Sequence, residues 1–71
     1  MYRDRLSAAR FLTENGYRTS PSTLATMATR GGGPRFRRFG RKPLYDEGDL
    51  LDWARSRLGP SMRSTSEADA A

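Results

Sequence analysis

Cysteine and histidine are both absent from this chain of 71 residues. Their absence excludes disulfide bonds, a zinc-finger ligand set and a cysteine or histidine nucleophile. The serine hydroxyls have no histidine to activate them, and the single lysine, Lys42, lies among arginines. We therefore expect a protein that is not an enzyme, has no catalytic residue and uses neither a metal ion nor another cofactor.

Long apolar runs are also lacking, because no stretch approaches the roughly 18 residues that span a bilayer. Residues 1–5 are mostly polar, and no signal-type apolar core follows them. We therefore expect a cytoplasmic protein that has no membrane partner.

Large apolar side chains are scarce in the last part of the chain. From Gly59 onward Met62 is the only one, so residues 59–71 are predicted to be a flexible tail. The tail contains two acids, Glu67 and Asp69. It is either merely solvated or an acidic arm that reaches a neighbouring copy of the protein. The rest allows one small domain, expected over residues 1–58, of a size that buries only about 60% of its unfolded surface.

Acidic residues are missing from residues 30–42, although the whole chain has 8 acids against 13 bases and a net charge of +5. Residues 43–58, in contrast, carry a net charge of −2. A segment with six cations and no acid favours a polyanionic partner. These cations are Arg30, Arg35, Arg37, Arg38, Arg41 and Lys42.

Capping residues predict the first two helices. Asp4 is a suitable N-cap for a helix over residues 5–15. A Ser20 cap followed by Pro21 at the first helical position predicts a second helix over residues 21–30. The connection between the two is short enough for a helix-turn-helix.

The second helix separates into two faces when its residues are placed at 100° intervals. Leu24, Met27 and Ala28 share one side, which we expect to be buried. The opposite side is polar and is the expected working face; it carries Ser22, Thr23, Thr26, Thr29 and Arg30.

A β-hairpin and a third helix are predicted after the glycines at positions 31–33, which we interpret as a flexible hinge. A loop at Gly40 places Phe36 opposite Tyr45, and Pro43 is expected to keep the second strand at a sheet edge. Phe39 is left open between core packing and base stacking. The third helix runs from an Asp46 cap to about residue 58, with a core face of Leu50, Leu51, Trp53, Ala54 and Leu58.

The order of these elements predicts a mostly helical α+β fold. Helix, sharp turn, helix, basic two-stranded hairpin and closing C-terminal helix make a small winged helix-turn-helix. Five stretches support it: Ala8-Ala9-Arg10-Phe11-Leu12, Ser20-Pro21-Ser22-Thr23-Leu24, Gly31-Gly32-Gly33-Pro34, Phe39-Gly40-Arg41-Lys42-Pro43-Leu44-Tyr45 and Asp49-Leu50-Leu51-Asp52-Trp53.

In these stretches and their order, residues 5–58 closely resemble the AlpA-like and excisionase-like DNA-binding proteins with a MerR-type winged helix. The resemblance implies that the second helix reads DNA and that the hairpin wing contacts the backbone. Carried over, the recognition-helix residues are Ser20, Ser22, Thr23, Thr26, Thr29 and Arg30, with Ser22, Thr23 and Thr26 as base readers. The wing residues are Arg35, Arg37, Arg38, Arg41 and Lys42, with Arg41 and Lys42 at the tip, and Arg18 is a supporting contact.

One position departs from the family. Many members carry Trp and then a basic residue in the middle of the second helix, where this chain has Met27 and Ala28. We therefore expect this helix to read through Thr and Ser and to rely on the wing for affinity.

Members of the family act as recombination directionality factors of mobile elements or as transcriptional regulators. We expect an excisionase that prefers certain double-stranded DNA sequences and bends or coats DNA to assist a tyrosine integrase at the nucleoid. A regulator of the same fold is an alternative, and a small RNA-binding or ribosome-associated protein is a more distant one. The resemblance also implies a monomer in solution that assembles cooperatively on DNA.

Overall fold

The computed structural model describes residues 1–63. Most of the predicted tail, residues 64–71, lies outside this range. The described part confirms the predicted α+β class and contains three helices and a three-stranded antiparallel sheet. In chain order the elements are β1 (Tyr2–Arg3), α1 (Arg5–Glu14), α2 (Pro21–Arg30), β2 (Arg37–Phe39), β3 (Lys42–Asp46) and α3 (Glu47–Ser56).

Each helix begins at the predicted capping residue. The cap oxygen accepts a hydrogen bond from a backbone amide of the first turn, which has no acceptor within the helix. The pairs of cap and amide are Asp4 and Ser7 at 2.8 Å, Ser20 and Thr23 at 3.1 Å, and Asp46 and Gly48 at 3.0 Å. Local sequence therefore sets where all three helices start.

The third helix is shorter than predicted. It ends at Ser56, where the Arg57 amide donates to the Ala54 carbonyl three residues back and tightens the last turn. Leu50 and Ala54 are buried as expected, but Leu58 is 62% exposed and does not belong to the core face.

The sheet has β3 in the middle, with β1 and β2 on its two sides. Strand β1 is absent from the sequence-based prediction; it places Tyr2 opposite Asp46 and Arg3 opposite Tyr45. The expectation that Pro43 keeps its strand at an edge is therefore wrong. Proline is tolerated in this central strand because β1 pairs only with its last two residues, so Pro43 lies beyond the reach of β1.

The hairpin of β2 and β3 has the predicted register, with Phe39 opposite Lys42 and Gly40 in the loop. Gly40 has φ +64°, in the left-handed region that glycine adopts without strain. The register brings the rings of Phe36 and Tyr45 together, with 5.7 Å between their centroids. The hairpin thus reaches the core through an aromatic pair.

Helix α1 contacts the other two helices, β1 and β3, so it lies at the centre of the packing. Its two core alanines are small enough to let neighbouring elements approach closely. Phe11, Tyr17, Phe36 and Trp53 pack against this core while remaining partly exposed. The buried residues of the core are Ala8, Ala9, Leu12, Leu24, Tyr45, Leu50 and Ala54.

Candidate nucleic-acid interface

The polar face of α2 is exposed along its whole length, as predicted. Thr26 lies near the middle of this face, and Leu24 on the opposite side is buried. The hydroxyls of Ser22 and Thr26 have no hydrogen-bond partner among residues 1–63, so both are free to contact an external ligand.

The other predicted hydroxyls of this region are already bonded. Ser20 Oγ caps α2 and lies 2.9 Å from Thr23 Oγ1, and Thr29 Oγ1 donates to the Ala25 carbonyl at 3.3 Å. Ser20 and Thr23 thus support the start of the helix, Thr29 bonds to the helix backbone, and a contact with a ligand competes with those bonds.

A cleft of about 420 Å³ separates α2 from the hairpin. We call it the α2–hairpin cleft. Its volume is within the range of ligand pockets, about 300–1,000 Å³. It is lined by Arg5, Ala25, Ala28, Thr29, Arg38, Arg41 and Pro43.

Three arginines and no acidic residue line the α2–hairpin cleft. None of these arginines has an ion-pair partner among residues 1–63, where the ion pairs join Arg3 to Glu47 and the N-terminal amine to Asp46. The positive charge of this cleft is therefore available to an anion.

The hairpin divides its arginines between two sides. Arg38 and Arg41 line the α2–hairpin cleft, whereas Arg35 and Arg37 line a separate hollow that also contains Asp46 and Asp49. Alternation along β2 explains the separation of Arg37 from Arg38, since adjacent residues of a strand point to opposite faces. Arg35 precedes this strand, and Arg41 lies in the hairpin loop. The structure therefore brings only part of the predicted wing set next to α2.

The remaining predicted cations are exposed but do not line the cleft. Arg18 lines a hollow beside the C-terminal end of α3, with Trp53 and Leu58. Arg30 ends α2, and Lys42 begins β3 next to the hairpin loop. Of these three, Arg30 and Lys42 belong to the two elements that form the cleft.

Phe39 is 76% exposed, which resolves the open alternative against core packing. It lies at the end of β2, directly before the hairpin loop. An exposed aromatic ring between cations is available for stacking on a base or for contact with a sugar.

The connection between α2 and β2, which contains three glycines, contacts both α2 and α3. Trp53 Nε1 donates to the Gly32 carbonyl at 2.8 Å, and Pro34 is buried. A Cβ on Gly33 would lie 2.7 Å from Met27 Cβ, so the connection passes directly against α2. This connection, which we call the spacer, is packed at Gly33 and Pro34 and exposed at Gly31 and Gly32, and its contacts set the position of the hairpin relative to α2. The flexibility of the expected hinge stays a prediction.

Arg5 is the cleft arginine that the sequence-based prediction omits. It lies in the first turn of α1, outside the basic segment, and only the tertiary fold brings it to the hairpin. Its Nε donates to the buried Tyr45 hydroxyl at 3.4 Å. No local pattern around Arg5 indicates this contact.

Residues 1–63 contain no group of three or more His, Cys, Asp or Glu side chains arranged to hold a metal ion. In the same range, no helix is long and apolar enough to cross a membrane. Comparison of the chain with protein-family models, with curated proteins and with solved structures finds no match.

The spacer yields a stability prediction. Gly33→Ala forces a Cβ against Met27 and should lower the free energy of unfolding by about 1–3 kcal/mol, the usual cost of overpacking. Gly59→Ala is the matched control, because a Cβ there meets no atom within 4 Å, and it should change stability by less than about 0.5 kcal/mol. Urea denaturation followed by circular dichroism measures both. Equal stability of the two variants would show that the spacer is not packed on α2.

Proposed function

We propose that this chain is a winged helix-turn-helix protein that binds double-stranded DNA. In this proposal α2 lies in the major groove and the hairpin contacts the sugar-phosphate backbone. The observation that carries it is the α2–hairpin cleft, where the exposed helix adjoins three arginines without acidic partners among the described residues.

The dimensions of α2 suit a major groove. Its 10 residues make a helix about 15 Å long and, with side chains, about 10–12 Å wide, and the groove of B-DNA is about 12 Å wide. Ser22 and Thr26 offer free hydroxyls to base edges on the exposed face. Because a hydroxyl both donates and accepts, such contacts discriminate bases less strongly than a bidentate Arg or Asn pair.

The affinity in this proposal comes mainly from arginines. Phosphate contacts supply most of the binding energy of non-specific complexes and fix the orientation of a protein on the duplex. Arg38 and Arg41 adjoin α2, so the same backbone that flanks the occupied groove lies within their reach. Arg38 and Arg41 position the protein on the duplex and provide affinity, while Thr26 contacts a base edge and provides sequence selectivity.

The resemblance to excisionase-like proteins supports a role as a recombination directionality factor of a mobile element, with a tyrosine integrase as partner. Transcriptional regulation requires the same surface and is the alternative within this fold. A tyrosine integrase gene beside the gene for this chain supports the first role, and its absence supports the second.

Single-stranded nucleic acid, including RNA, is the second candidate ligand. The observation that favours it is Phe39, an aromatic ring 76% exposed within the basic segment. One exposed ring offers a single stacking platform, whereas α2 and the cleft together offer a surface matched to a duplex.

A single copy binds weakly in this proposal. A module of this size buries on the order of 600–1,000 Å² of protein surface on DNA. The net charge of +5 opposes association of free copies, and phosphates neutralise that charge on a duplex. The protein is therefore proposed to be a monomer in solution that loads cooperatively on DNA.

Binding to duplex DNA should depend steeply on salt. If about four to six phosphates are neutralised, the logarithm of the association constant falls against the logarithm of salt concentration with a slope of roughly −4 to −5. Fluorescence anisotropy with a duplex, a single strand and a structured RNA of equal length measures this. Tighter binding to either of the other two ligands at each salt concentration would contradict the proposal.

Readout and affinity should separate between α2 and the hairpin. Thr26→Ala should reduce the ratio of selected to random duplex affinity about fivefold, the effect of one hydrogen bond of about 1 kcal/mol. Arg41→Ala should weaken binding to both duplexes alike and reduce the magnitude of the salt slope by about 1. Arg55→Ala, at the end of α3, is the charge-matched control. A larger loss of selectivity in Arg41→Ala than in Thr26→Ala would show that the two surfaces are wrongly assigned.

The oligomeric state should change only when DNA is present. Analytical ultracentrifugation should find a monomer alone, one copy on a duplex with one site, and several copies with cooperative loading on a duplex with repeated sites. A stable dimer without DNA, or independent binding of single copies on the long duplex, contradicts the proposed assembly.

A further inference from the structure

Arg5 is the unexpected member of the α2–hairpin cleft. It belongs to α1, yet it lines the cleft together with Arg38 and Arg41 of the hairpin. It is half-buried and has no ion-pair partner among residues 1–63.

A core residue holds this arginine in place. Tyr45 is 1% exposed, so its ring is fixed by packing, and its hydroxyl accepts a hydrogen bond from Arg5 Nε. The bond is long, at 3.4 Å, but it orients the guanidinium and leaves both terminal nitrogens free. Arg5 is thus partly preorganised before any ligand arrives.

The hairpin wall of the cleft has a second oriented arginine. The Arg38 guanidinium carbon lies 6.0 Å from the centroid of the Phe36 ring, and that ring packs on Tyr45. Arg5 and Arg38 therefore both contact the same aromatic pair. The helix wall is formed by small side chains, Ala25 and Ala28, which leave room between the arginines.

The three arginines that line one cleft carry like charges that repel each other, and no acidic residue lining the cleft offsets that repulsion. An anion between them removes the repulsion and receives several charge-assisted hydrogen bonds. Guanidinium forks match the oxygens of a phosphate, which makes a phosphate group the best-suited anion.

We propose that the α2–hairpin cleft is a binding site for one phosphate group, held by Arg5, Arg38 and Arg41, with Tyr45 positioning Arg5. A phosphate of the duplex backbone and free inorganic phosphate share this chemistry. The assignment to a backbone phosphate rests on the proposed function. In that case α1 and the hairpin grip the same phosphate, which fixes the angle at which α2 enters the groove.

The first experiment titrates the full chain with inorganic phosphate and follows the Nε–H signals of arginine by NMR. The Arg5 signal should shift and saturate, and it should not do so with an equal concentration of chloride. Arg5→Ala should abolish saturable binding, whereas Arg10→Ala, on the same helix and outside the cleft, should leave it unchanged.

The second experiment measures duplex affinity for the same variants and two conservative ones. Arg5→Ala should weaken binding about 5- to 30-fold, the loss expected from one charge-assisted contact, and reduce the magnitude of the salt slope by about 0.9. Arg5→Lys should restore the slope but only part of the affinity, because it keeps the charge and loses the planar fork. Tyr45→Phe should keep the slope and weaken binding about two- to fivefold; circular dichroism checks that each variant is folded.

The results distinguish this inference from the proposed function. If Arg5→Ala behaves like Arg10→Ala in both experiments while Arg38→Ala and Arg41→Ala lose duplex affinity, the phosphate site is overturned and DNA binding stands. If the parent protein fails to bind a duplex but inorganic phosphate saturates the Arg5 signal, the site stands as a free-phosphate site and the proposed function fails.

Discussion

The position of Tyr45 is the constraint on which the rest of this small domain depends. Its backbone pairs with Arg3 of β1, its ring packs on Phe36 at the base of the hairpin, and its hydroxyl contacts Arg5 of α1. One buried residue therefore joins the N-terminal segment that contains β1 and the start of α1 to the base of the hairpin, which is distant from it in sequence. In a domain with few large buried residues, such a shared contact replaces the disulfide or metal site that many chains of this length use.

The structure also depends on the distance between α2 and the hairpin. The spacer between these two elements controls that distance. Met27 touches the spacer from the α2 side, and Trp53 binds the Gly32 carbonyl from α3. The two elements of the proposed interface are thus held through contacts with the core rather than with each other. A cleft remains open between them because only small side chains line its helical wall.

Local signals predicted much of this structure. Ser20 and Pro21 gave the exact start of α2, and the exposed face of that helix followed from residue spacing, because caps and periodicity depend on near neighbours. Of the expected buried face, Leu24 is buried, whereas Met27 and Ala28 are partly exposed because that side borders the cleft and the spacer. Strand β1 was missed because two residues make no pattern, and it forms only where β3 offers an open side. The position of Arg5 in the cleft was missed because it depends on how distant segments pack, whereas the separation of Arg37 from Arg38 follows from alternation along β2.

The hydroxyls of Ser22 and Thr26 are free, so these two side chains belong to the surface of the protein and do not contribute to its fold. Neither side chain supports a cap, a turn or the core, so substitution at either position carries little cost for folding. In the proposed DNA-binding role, sequence preference can therefore change by substitution at these two positions while the architecture stays constant. The same independence makes these two positions the natural place to randomise when a small scaffold without cysteine is to be redirected to a new target.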